Sequence, residues 1–182
     1  YEKNIINLSS ELSENYKKRG YFKGPKINQN LIEKINEEIK IQSVSNNNNN
    51  YIIFNWNSDL KNILSKIIFE ELKLTIIQLQ KYYNSKIVLT HARIQRNFGY
   101  EKKFLEEKFS DNFHNDRWLS TYFKIFINLE DIDHKKGPTY IIPRDKKEDF
   151  IKKSRYKNRS NYSEVDYEHS YINIGNTGES LI

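Results

Sequence analysis

The spacing of large apolar residues along this chain changes once, near residue 85, and that switch limits what it can fold into. Before it, Leu31, Ile35 and Ile39 recur at four-residue intervals with Ile32 widening the stripe, and Leu60, Ile63, Leu64, Ile67, Ile68, Leu72, Ile76 and Leu79 repeat the pattern. Such intervals put one apolar face on a helix. After it, residues alternate two by two. In Ile87 to Phe98, His91, Arg93, Gln95 and Asn97 fall on one side, and Val88, Thr90, Ala92, Ile94 and Phe98 on the other. In Thr121 to Leu129, Thr121, Phe123, Ile125, Ile127 and Leu129 oppose Tyr122, Lys124, Phe126 and Asn128. A period of two is that of strands. Helices followed by strands predict an α+β fold, with residues 1–85 as a mainly helical support and 86–182 as the sheet-forming part. A length of 182 residues fits a single domain over 1–182.

Local signals refine this. Ile6 to Arg19 is helical in tendency and is broken by Gly20 to Phe22, Gly24 and Pro25. Asn28 or Asn30 caps the helix over Leu31 to Ile41, and Ser58 or Asp59 caps the longest helix, which ends near Asn84. The run Asn46 to Asn50 reads as a flexible loop. Further on, Glu130 to Lys136 is a polar turn ended by Gly137 and Pro138, and Thr139 to Ile142 is a strand stopped by Pro143. A short helix follows from Asp145 through Lys153, and Tyr171 to Ile174 is a last strand before Gly175 to Gly178.

Composition narrows the functional classes. Cysteine is absent, so disulfides, thiolate metal sites and cysteine nucleophiles are excluded, and a metal would have to be held by carboxylates and the four histidines. The formal charge is +6, but 23 of the 30 basic residues are Lys and they are scattered among 24 acids, which argues against a nucleic-acid partner. No apolar run approaches the roughly 20 residues of a membrane span, and residues 1–20 lack a signal-peptide pattern, so a soluble cytoplasmic protein without a membrane partner is expected. A chain without Met that begins at Tyr1 and stops on Ile182 is expected to be a piece of a longer protein.

Two features suggest chemistry. The polar row His91, Arg93, Gln95 and Asn97 either faces water, as one side of an antiparallel sheet commonly does, or lines a barrel interior that takes a polar ligand. His114 and Asp116, two apart, leave an extended chain on the same face about 7 Å apart at the backbone, so both side chains can converge on one cation. With a second His from a distant strand they would form the facial triad of non-haem Fe(II) oxygenases, which leaves three positions open. Read alone, His-x-Asp is weak evidence for a metal, its usual reading being a surface pair or a hydrogen-bonded core His.

The neighbourhood of that pair resembles the phytanoyl-CoA dioxygenase family of Fe(II)- and 2-oxoglutarate-dependent oxygenases. The resemblance runs through HNDRWLSTYFKIFINLEDIDHKKGPTYIIPRD, His114 to Asp145, with His-x-Asp, a Lys-bearing strand, a Leu-x-Asp turn at Leu129 to Asp131, and Gly137-Pro138 before a strand ending in Pro143. More weakly it takes in Gly20 to Phe22 and the strand His91 to Asn97. It implies a double-stranded β-helix (a jelly-roll, cupin-like core) under the N-terminal helices, incomplete at its C-terminal end. It also implies a dioxygenase that hydroxylates a small-molecule substrate while 2-oxoglutarate and O2 give succinate and CO2. His114 and Asp116 would be the catalytic metal ligands for Fe(II). Lys124 and Gln95 would bind 2-oxoglutarate, and His91, Arg93, Asn97, Arg117, Trp118 and Tyr122 would contact substrate. Trp118 is as readily a core residue, and the alternative for Lys124 is a solvated edge-strand charge.

Two departures stand out. Relatives continue the Pro strand with Gly-Ser-His, whereas this chain has Arg144, Asp145 and Lys146. The family's second ligand His and its 2-oxoglutarate-binding Arg follow a segment like Gly178 to Ile182, so both are expected beyond residue 182. His134, in a turn beside Lys135, and His169, ahead of the last strand, are poor substitutes. The competing expectation is a non-catalytic jelly-roll module that binds a small acidic ligand on the Lys124 and Gln95 face.

Overall fold

A computed structural model describes residues 14–42, 44–48, 51–97, 122–154 and 170–182. The chain divides into two units interleaved in sequence: residues 1–22, 101–124 and 138–173 form one, and 23–100, 125–137 and 174–182 the other.

The second unit holds the main apolar core. Helix α2, Gln29–Ile41, begins where the Asn28 side chain accepts the Asn30 N–H at 2.9 Å, and its four-residue stripe buries Ile32, Ile35 and Ile39. Helix α3, Ser58–Lys66, starts one residue earlier than the sequence suggests: Asn57, not Ser58 or Asp59, is the cap and accepts the Leu60 N–H at 2.8 Å. The other end of the Asn57 amide donates to Glu38 Oε2 at 2.7 Å, which ties α3 to α2.

The long helix is not continuous. A π turn over Ile67–Glu71 separates α3 from α4, Lys73–Tyr83, and its signature bond runs from the Leu72 N–H to the Ile67 carbonyl at 2.8 Å. The cause lies in the spacing. Ile67 and Leu72 are both buried but stand five apart, whereas an α-helical step of four from Ile67 would bring Glu71 inward. One wider turn absorbs the extra residue, and Thr75 and Leu79 then continue the buried stripe. The Glu71 carboxylate is left to accept the Asn28 N–H at 3.3 Å. Helix α4 ends at Asn84, whose left-handed backbone, φ 46° and ψ 43°, suits an Asn cap.

Against these helices lies an antiparallel sheet in the order β1 (Val44–Asn48), β2 (Tyr51–Phe54), β3 (Gln95–Asn97). The Asn run expected to be a loop contributes a strand: Asn46, Asn47 and Asn48 pair with Ile53, Ile52 and Tyr51, with an irregularity between Val44 and Asn46. Conversely, the strand expected over Ile87 to Phe98 is paired only at β3 within its described part. Residues 92–94 still run beside β2, with Ile94 O accepting the Phe54 N–H at 3.0 Å and Ala92 O accepting Trp56 Nε1 at 3.0 Å. Phe54 and Ile94 complete the core with Ile27, Leu60 and Ile63.

The strand expected over Thr121 to Leu129 is likewise short. Among its described residues only β4, Phe126–Ile127, is a paired strand, with β7, Ser180–Leu181. The other edge of β7 is taken by the segment after Lys23, where Gly24 N–H donates to Ser180 O at 2.9 Å and Ile27 N–H to Gly178 O at 2.8 Å. This close approach needs glycine at residue 178, where φ is +84° and an added Cβ would stand 2.7 Å from the Ile27 carbonyl oxygen. So flanked, Leu181 and Ile182 are 1% and 5% exposed.

In the first unit, a helical segment covers residues 14–19 as the described part of α1, and β5, Thr139–Ile141, pairs antiparallel with β6, Tyr171–Asn173. A 3-10 turn, Arg144–Lys146, leads into α5, Lys147–Ser154, which buries Phe150. Arg144 Nη1 donates to the Lys17 carbonyl at 3.0 Å, closing the C-terminal turn of α1. Tyr16 meets Phe22 edge to face at 5.5 Å, and Tyr21 stacks on Tyr171 at 4.6 Å. Burial pushes the Tyr21 phenol above its ordinary value while the Arg19 charge opposes it.

Candidate functional site

The chain positions its candidate residues very unequally. The candidate ligands His114 and Asp116, with Arg117 and Trp118, lie outside the described residues, as does His169. Asn97 pairs with Tyr51 in β3, and its side chain is also outside the description.

The polar row upstream of β3 alternates as its sequence requires. His91, Arg93 and Gln95 are exposed while Ile94, between two of them, is 7% exposed and packs in the core. Of the two readings of this row, these three side chains fit the solvated face. Arg93 Nη1 donates to Gln95 Oε1 at 3.3 Å, a long hydrogen bond between neighbours two apart on one face. In the other unit, Tyr122 is half-buried and Lys124 exposed.

The motif after the candidate ligands forms a well-defined clasp. Ile127 and Leu129 pack on the core, and the Leu129 carbonyl accepts Asn36 Nδ2 at 2.8 Å. Asp131 Oδ1 accepts both the Thr177 N–H at 2.7 Å and the Thr177 hydroxyl at 2.8 Å. Those two bonds hold the Asp131 carboxyl below its ordinary value, with Lys136 and Lys26 assisting and desolvation opposing. Asn128 reinforces the link through its backbone, its N–H donating to Glu179 O at 2.9 Å and its carbonyl accepting the Gly178 N–H at 2.7 Å. The Asn128 side chain is buried, and its Nδ2 has no partner among the described residues. Within the turn, Asp133 Oδ1 accepts the Lys135 and Lys136 N–H groups at 2.8 and 3.1 Å, and Lys136 Nζ donates to the Asp131 carbonyl at 2.7 Å.

The Leu129-x-Asp131 element is therefore a structural brace joining the 130–136 turn to the 175–178 turn and, through it, to β7. Sequence reasoning missed Thr177 and Asn128 as its partners. The available signal was the pairing of a turn Asp with Thr177 beside a glycine, but 46 residues separate Asp131 from Thr177.

Among the described residues, no group of three or more His, Asp or Glu side chains could hold a metal ion. His91 and His134 are both exposed and belong to no such group. No helix among the described residues is long and apolar enough to cross a membrane. In comparisons with known proteins, the chain matches no family model, no curated protein and no solved structure.

Proposed function

We propose that this chain is an Fe(II)- and 2-oxoglutarate-dependent oxygenase that hydroxylates a small-molecule substrate. The observation that carries the reading is the order of residues from His114 to Pro143: a His-x-Asp pair, Lys124, the Leu129-x-Asp131 turn, then Gly137-Pro138 ahead of a strand closed by Pro143. Support comes from local form: a polar turn at 130–136, β5 directly after Gly137-Pro138, and a brace built on Asp131. The jelly-roll core belongs to the same proposal, and the antiparallel pairing of β4 with β7 and of β5 with β6 is the kind such a core requires.

In this reading, the His114 imidazole and an Asp116 carboxylate oxygen would hold the ferrous ion. A bound ferrous ion with 2-oxoglutarate and O2 supplies the oxidising chemistry, releasing succinate and CO2. Lys124 offers an ammonium to the distal carboxylate of 2-oxoglutarate, a charge-assisted bond about twice as strong as a neutral one.

Calorimetric titration of 2-oxoglutarate with and without Mn(II), a redox-silent stand-in for Fe(II), tests this binding arrangement. Metal-dependent binding that is lost in His114→Ala and weakened in Lys124→Ala is the expected result. Binding that ignores the metal would instead favour the non-catalytic module for a small acidic ligand, and no binding in either condition would refute both.

A further inference from the structure

The face of α4 turned away from the core carries a pattern that its helix does not use. Thr75 and Leu79 point inward, whereas Phe69, Leu74 and Ile77 are 71%, 51% and 37% exposed. Single exposed apolar residues are ordinary on a protein surface. These are not scattered: Leu74, Ile77 and Lys81 recur at three- and four-residue intervals on one side of α4, and the wider π turn brings Phe69 and Glu70, both exposed, onto the same side.

We propose that this face is a self-association surface, covered by the same face of a second copy of the chain in antiparallel orientation. The argument rests on charge complementarity and symmetry, independently of any oxygenase chemistry. When two such helices cross about a twofold axis between Thr75 and Ile76, Leu74 lies opposite the partner's Ile77 and Glu70 opposite the partner's Lys81. Because the contact is isologous, every pair occurs twice, so two opposite-charge pairs bracket a central apolar set. A parallel, in-register arrangement would set Glu70 against the partner's Glu70 and Lys81 against the partner's Lys81, which is repulsive at both ends. The face thus specifies both the kind of partner and its direction. Glu70 to Lys81 spans only about 17 Å of helix, so the interface is at the small end and the association weak.

Sedimentation equilibrium of the 182-residue chain from roughly 5 µM to 1 mM tests the proposal, with circular dichroism to establish that each surface variant is folded. A monomer–dimer equilibrium is expected, and Leu74→Glu should abolish it. Lys81→Glu should weaken it about tenfold, because both charge pairs become repulsive, and combining Glu70→Lys with Lys81→Glu should return it to within about threefold of the original. A monomer at every concentration would overturn the proposal and assign the face to another occupant. So would a dimer indifferent to Leu74→Glu, or a charge swap that fails to restore association.

Discussion

Asp131 accepts hydrogen bonds from the Thr177 N–H and hydroxyl more strongly as a carboxylate than as a neutral acid, and its lowered pKa gives the brace a pH signature. A carboxyl whose folded value lies below its unfolded value stabilises the fold above the unfolded value, near 3.9, and loses that contribution as pH falls through the folded one. Asp131→Asn should therefore lower the thermal midpoint at neutral pH, with the gap from the parent closing below roughly pH 4 in melts followed by circular dichroism. Thr177→Ala should mimic the loss, while Thr177→Ser, which keeps the hydroxyl, should recover most of it. Gly178 is constrained differently, by φ +84° and the nearby Ile27 carbonyl. Gly178→Ala should cost about 1 to 3 kcal/mol in urea unfolding, through backbone strain and displacement of the segment before α2.

Helices were the most legible elements, because burial on one face leaves a three- and four-residue trace. Ile32, Ile35 and Ile39 reported α2 directly, and Asn84 reported the end of α4. The π turn was not legible as such, since a five-residue step from Ile67 to Leu72 inside an apolar run looks like ordinary helix until the buried positions are known. Leu72→Ala should cost about 2 to 5 kcal/mol, because the turn exists to bring that side chain into a packed site. Asn57→Ala should cost about 1 kcal/mol by removing the α3 cap, whereas Ser58→Ala should be near neutral; equilibrium unfolding separates the two. Strands were legible as alternation but not as pairing. Period two reports which side is buried, as at Ile94, while the extent of β3 and β4 depends on distant partners that local sequence does not name. The Asn run misled for a related reason: composition suggested a loop, and pairing with β2 decided otherwise.

On the scale of the whole molecule, the chain threads repeatedly between two units, so residues adjacent in sequence, such as Lys124 and Ile125, serve different ones. The candidate chemistry rests on a short, ordered set of residues from His114 onward, and the polar row at residues 91–95 adds exposed groups rather than a buried lining. The most direct measurement is succinate release from 2-oxoglutarate by the protein, supplied with Fe(II), O2 and ascorbate. The account predicts turnover by the parent, even if slow and uncoupled from substrate, and a loss of ~100-fold or more in both His114→Ala and Asp116→Ala. Succinate formation that persists undiminished in those two variants, or none from the parent with any candidate substrate, would contradict it.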